Sequence, residues 1–182
     1  LIARRWQSGT FRLSGFALAR FRRLAPALAL VTVVTLVVSP LFTSPFVAQE
    51  NLAWTALGST FWVANVVISS ITGDYFDAPA ITNPLLQMWS LSVEEQLYLL
   101  FAILALVLIR LSAGKYQARR WVIAIAVLSV TSLAITIVQP FTEDDGWVDF
   151  LFGFYGPLGR IWEFGIGALI ALGTHRMHMK QG

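Results

Sequence analysis

Hydrophobic positions along this chain fall into long runs. Five stand out, at residues 24–42, 52–71, 89–109, 121–138 and 155–172. Each comes near the ~20 residues that a helix needs to cross ~30 Å of hydrocarbon. Pro, Gly, Asn and Asp collect in the segments between them, as turns require. The pattern predicts an all-α, polytopic membrane protein. The runs are not alike, however. Run 24–42 has Pro26 in its first turn, where a missing N–H costs nothing, and Pro40 near its end. Run 52–71 is laced with Thr55, Ser59, Thr60, Asn65, Ser69 and Ser70. Run 89–109 carries Glu94, Glu95 and Gln96 ahead of an unbroken apolar series, and run 155–172 contains Arg160 and Glu163.

Charge decides how these runs are threaded. Arg4, Arg5, Arg12, Arg20, Arg22 and Arg23 precede the first run and place that end in the cytoplasm. Arg110, Lys115, Arg119 and Arg120 make a second basic loop, and Arg176 with Lys180 a third. Five full crossings would put the second loop outside. Making the polar run 52–71 a re-entrant or surface-lying helix on the outer side removes the conflict, because irregular backbone at depth is tolerated where protein buries it. We therefore expect about four transmembrane spans plus one re-entrant or surface-lying helix, in one partial domain covering residues 1–182. Arg160 is then the only basic residue away from the cytoplasmic set. The start, Leu1-Ile2 leading into Arg4-Arg5, reads like the cytoplasmic end of a helix, so a longer natural protein is expected.

Composition supports the membrane reading and excludes several functions. Hydrophobic residues make up 57% of the chain and charged residues 13%, about half the charged share of a soluble domain. With no cysteine there is no disulfide framework, thiolate nucleophile or cysteine metal site. No HExxH, Walker-type or GxGxxG pattern occurs, and no metal site is expected. His175 and His178 read as juxtamembrane side chains. The basic residues flank apolar runs, so the lipid bilayer is their expected partner and nucleic acid is not.

Candidate chemistry lies in the charged residues inside the apolar runs. Counting back from Arg110, Glu94 sits ~24 Å along its helix, inside a ~30 Å core. Ser92-x-x-Glu95 has capping-box spacing, which would explain those two residues as a helix N-terminus. It leaves Glu94 unexplained, and a charge at membrane depth persists when it pairs, lines a cavity or does chemistry. Arg160 and Glu163 share a helix face and can neutralise each other. Arg160 also lies ~20 Å up its helix from Gly173, a depth like that of Glu94 and Glu95. An interhelical cluster of Arg160 with the two glutamates is the sharper expectation. The arginines Arg20 to Arg23 suit either anionic lipid or a polyphosphate, which the guanidinium fork binds well.

These residues carry a family resemblance. Trp89-Ser-Leu-Ser-Val-Glu-Glu-Gln-Leu-Tyr-Leu99 resembles the WSLSVEEQFYL signature of the acyltransferase-3 membrane O-acyltransferases. Arg20-Phe-Arg-Arg-Leu-Ala-Pro-Ala-Leu28 is similar to that family's RRxxPAL entry to a span, and Arg160-Ile-Trp-Glu-Phe-Gly-Ile-Gly-Ala-Leu169 to its RxWELLLGALLAL block. Gln87 and Met88 stand where many members have His-Thr, and Leu97 where most have Phe. The resemblance implies transfer of an acyl group, commonly acetyl from acetyl-CoA or another acyl-CoA, to hydroxyls of an envelope glycan or glycolipid: lipopolysaccharide, peptidoglycan or exopolysaccharide. It implies a multi-pass protein of the bacterial inner membrane and no permanently bound cofactor. It assigns catalytic roles to Glu94, Glu95, Arg160 and Glu163 and donor binding to Arg20 and Arg23. It also places a catalytic histidine on a helix ahead of Leu1, so the chain alone is expected to be inactive. The competing expectation is a non-enzymatic transporter or channel module whose buried charges line a path.

Overall fold

In a computed structural model the chain is described over residues 13–42, 47–72, 82–111, 117–141 and 147–178. Among these residues every regular element is helical: α1 (Leu13–Val38), α2 (Val47–Thr60), α3 (Ala64–Thr72), α4 (Met88–Leu111), α5 (Gln117–Val138), α6 (Trp147–Phe152) and α7 (Ile161–His178). Short 3-10 turns extend α1 over Ser39–Leu41, follow α5 over Gln139–Phe141 and precede α7 over Leu158–Arg160. Three stretches are long and apolar enough to cross a membrane, Leu13–Leu41, Met88–Val107 and Arg119–Val138. Leu30, Val33 and Val37 on α1 and Val127 and Val130 on α5 are exposed, an arrangement that water penalises and lipid tails do not. This is a helical membrane protein.

Two of the expected runs differ from the observed elements. The run at 155–172 is not one helix, because residues 158–160 form a 3-10 turn and α7 begins only at Ile161. Pro157 caps that turn, and a proline ring cannot continue a preceding helix without losing a backbone bond. Run 52–71 is broken as well. It forms α2 and α3, separated at Phe61–Val63, where Trp62 adopts a left-handed φ of 59°. The Val63 N–H bonds to the Gly58 carbonyl at 2.8 Å and the Trp62 N–H to the Ser59 carbonyl at 3.2 Å, the paired bonds of a Schellman helix end. A bulky residue in that conformation costs about 1–3 kcal/mol, so surrounding contacts must impose it.

The chain divides into two compact units, Leu1–Ile103 and Leu104–Gly182. In the first, α2 packs against both α1 and α3. Only five residues, 42–46, separate the end of α1's 3-10 turn from α2, and the two helices pack together, so α2 runs back antiparallel to α1. α3 folds closely onto α2: a Cβ on Gly58 would stand 2.8 Å from Val67 Cγ2. Leu52 and Ala56 of α2 pack with Leu85 and Met88 into a small core. Farther along, Ser92 meets Ala64 and Gln96 meets Trp62. The chain from Asn83 into α4 thus advances in the same direction as α2 and opposite to α1. The α2–α3 segment runs beside α4 and turns at Trp62, so residues 52–71 do not form a single helix. In the second unit α5 and α7 form an antiparallel pair with very close backbones, since a Cβ on Gly165 would stand 1.8 Å from Ser129 Oγ.

Candidate functional site

α4 starts at Met88, so Ser92 lies in its second turn and the capping box expected from Ser92 and Glu95 is not formed. The segment leading into α4 is fixed instead by Asn83. Its Oδ1 accepts the Leu85 N–H at 3.0 Å and its Nδ2 donates to Thr55 Oγ1 at 2.8 Å. Ser92 turns its hydroxyl back to the Met88 carbonyl at 3.0 Å and accepts the Ala64 N–H at 3.2 Å. Ser92 therefore serves the first N–H of α3, a donor that every helix start leaves orphaned.

Glu95 points to another face of α4 and meets Arg20 of α1. Arg20 Nε lies 3.0 Å from both carboxylate oxygens, and Nη2 lies 2.5 Å from Oε1. The Glu95 side chain is 13% exposed and that of Arg20 26%. Charge-assisted, multidentate geometry of this kind is the strong form of the hydrogen bond. One turn along α4, the Tyr98 ring lies beneath the same guanidinium, 3.4 Å from its carbon to the ring centroid. Cation–π attraction adds to the pairing where water is excluded. The Tyr98 hydroxyl donates to Glu94 Oε1 at 3.3 Å, and Glu94 itself is exposed. Arg20, Glu95, Tyr98 and Glu94 thus form one connected cluster.

From Arg20, α1 continues for about 27 Å to Val38, while from Glu95, α4 continues for about 22 Å the opposite way to Arg110. Arg20, expected as a juxtamembrane residue, lies within the Leu13–Leu41 stretch that is long and apolar enough to cross a membrane. Within the first unit the partner of Glu95 is Arg20. Multiple hydrogen bonds to Glu95 engage the Arg20 guanidinium, whereas Arg22 and Arg23 are exposed.

In the second unit, Arg160 Nη1 lies 3.7 Å from Glu163 Oε1, the local pairing that their spacing allows. The Arg160 guanidinium also stands 5.7 Å over the Phe154 ring. Its backbone is held from α5: Ser132 Oγ donates to the Leu158 carbonyl at 2.6 Å and Thr136 Oγ1 to the Gly159 carbonyl at 3.0 Å. No group of three or more His, Cys, Asp or Glu suited to a metal ion occurs among the described residues. The sequence assigned no site role to Tyr98, Asn65 or Trp62. Tyr98 had a usable signal, being four residues from Glu94 and three from Glu95, so that all share a helix face.

An acyltransferase domain model matches residues 7–181, nearly the whole chain. The chain belongs to the acyltransferase-3 family. Among its curated relatives is a peptidoglycan O-acetyltransferase, OatA, of Listeria monocytogenes, 30% identical over 139 residues. An O-acetyltransferase OatA of Staphylococcus aureus is 30% identical over 145 residues, and a putative peptidoglycan O-acetyltransferase, YrhL, of Bacillus subtilis is 29% identical over 157. These alignments cover 76%, 80% and 86% of this chain, but only 22%, 23% and 23% of the respective relatives. The chain therefore spans about a quarter of the length of the curated relatives it matches. No solved structure matches.

Proposed function

We propose that the protein containing this chain is an O-acetyltransferase of the bacterial inner membrane, moving acetyl from acetyl-CoA to hydroxyls of an envelope glycan. Peptidoglycan is the first candidate acceptor, because two of the similar proteins carry it in their names. Other acyl-CoA donors, and lipopolysaccharide or exopolysaccharide as acceptors, are the next candidates. The observation that carries the proposal is the Arg20–Glu95 pair joining two helices of membrane-crossing length beside a second, exposed carboxylate, Glu94, all within a family-matched segment. Such charges are costly in hydrocarbon and mark functional paths.

The chemistry divides among the residues as follows. A base takes the proton of the acceptor hydroxyl, whose oxygen attacks the thioester carbonyl carbon. The carbon–sulfur bond then breaks, and the CoA thiolate leaves and takes up a proton. The family resemblance puts the base on a histidine outside this chain, so the chain alone is inactive. Glu94, exposed beside the Tyr98 hydroxyl, orients that base. Glu95 is held by Arg20 and keeps this turn of α4 in register. The family resemblance also gives Arg160 and its neighbour Glu163 catalytic roles. Arg23 reaches the phosphates of the donor.

The test is acetyl transfer from radiolabelled acetyl-CoA to glycan by the natural gene product in membranes. Glu94→Gln should lower turnover at least 30-fold at unchanged protein level, and Arg23→Ala should raise the donor KM. Near-normal turnover in Glu94→Gln would remove it from the mechanism. An unchanged donor KM would return Arg23 to lipid contact.

A further inference from the structure

The α2–α3 break leaves two backbone groups that hydrocarbon cannot satisfy: the Trp62 carbonyl and the Ala64 N–H. Both are met by side chains of α4 one turn apart. Ser92 accepts the Ala64 N–H at 3.2 Å, and Gln96 Nε2 donates to the Trp62 carbonyl at 2.8 Å. Gln96 also joins Asn65 amide to amide, with Nε2 2.9 Å from Asn65 Oδ1 and Oε1 3.5 Å from Asn65 Nδ2. Ser92, Ala64 and Asn65 are buried. A residue four along from Ser92 lies on the same helix face. Hence the signature segment has two faces. Ser92 and Gln96 grip the re-entrant turn, while Glu94, Glu95 and Tyr98 carry the charged cluster.

We infer that Gln96 is a positioning residue for acyl transfer: it locks the left-handed turn at Trp62 onto α4 and so fixes the helix turn that presents Glu94 and Glu95. The strained φ of Trp62 fits this role, because a strained backbone persists only where neighbours over-determine it. Glu95 is adjacent to Gln96, so one turn of α4 is held by Arg20 on one face and by the re-entrant turn on the other. Loosening either hold lets the carboxylates rotate away from the reacting groups, and small displacements of that kind lower turnover more than binding. The inference rests on the proposed acetyl transfer.

The experiment uses the natural gene product in membranes. Gln96→Leu is expected to lower acetyl-transfer turnover at least 30-fold, with the donor KM and the amount of inserted protein unchanged. Gln96→Asn alone should fall at least tenfold, because the shorter amide no longer reaches. The swap Asn65→Gln with Gln96→Asn restores the combined reach and is expected to recover turnover to within about threefold of the unmodified protein. A swap no better than Gln96→Asn alone overturns the lock, as does Gln96→Leu within threefold of the unmodified protein. If Gln96→Leu fails to insert, the swap decides by itself. The geometry has a readout free of activity. The chain contains no cysteine, and the Ala64 N–H bond to Ser92 Oγ places these positions beside each other. Ala64→Cys with Ser92→Cys should therefore be joined by a short thiol-reactive crosslinker, and failure to do so overturns the placement of the turn. Crosslinking in this variant while the unmodified protein transfers no acetyl group would sink the proposed function and leave the lock's geometry intact.

Discussion

Two arginines, one ahead of an apolar run and one within another, meet carboxylates in this protein, and they do so in different ways. Arg20 reaches across 75 residues of sequence to grip Glu95 with several short hydrogen bonds, with the Tyr98 ring beneath it. Arg160 lies 3.7 Å from a glutamate only three residues away, and both of those side chains are about a third exposed or more. The first pair joins two helices of opposite direction, so it carries tertiary information. The second joins neighbours at one helix start and carries local information. A charge inside an apolar run is thus a sign of function or assembly only once its partner is known.

The sharpest way to break this contrast is to remove one partner of the first pair. Arg20→Ala leaves the largely buried Glu95 carboxylate without its cation, which should cost about 3–5 kcal/mol of stability. Thermal unfolding in detergent should show it, together with acetyl transfer lowered at least 100-fold. A double-mutant cycle with Glu95→Gln should give a coupling of about 2 kcal/mol or more between the two positions. Near-additive effects would make the pair a bystander.

The next largest effect is expected at the closest backbone approach. Gly165→Leu must displace Ser129, because even a Cβ would stand 1.8 Å from its hydroxyl. Overpacking of this kind costs about 1–3 kcal/mol and should separate α5 from α7. Accelerated proteolysis within residues 117–178 would register it. Gly58→Ala presses on Val67 Cγ2 at 2.8 Å, a side-chain tip able to shift. Its expected cost is smaller, about 1 kcal/mol, because one methyl is added beside a flexible neighbour.

The smallest effect should come from the second pair. Glu163→Gln is expected to change stability by about 1 kcal/mol or less, as half-exposed local pairs do. A cycle with Arg160→Lys should show almost no coupling in stability. A coupling as large as that of Arg20 with Glu95 would erase the contrast between the two arginines. A large fall in acetyl transfer by Arg160→Ala at unchanged stability would sharpen it, by assigning Arg160 to chemistry alone.

Much was legible in the residues themselves. Apolar runs of membrane-crossing length and their charged flanks settle a helical membrane protein, because hydrocarbon demands that backbone groups be satisfied within the protein. The signature at Trp89 to Leu99 and its two companion blocks carry the family. Local rules also gave the Arg160–Glu163 contact. Tertiary structure decided the rest. The capping box at Ser92 and Glu95 failed because α4 begins at Met88, a start fixed by contacts with α2 that no local spacing encodes. The left-handed Trp62 could not be read from a sequence in which glycine is the ordinary choice for that conformation. The pairing of Glu95 with Arg20 was not legible either, because the register between antiparallel α1 and α4 is set by side chains from distant parts of the chain. Spacing determines which residues share a face, and packing determines what that face meets.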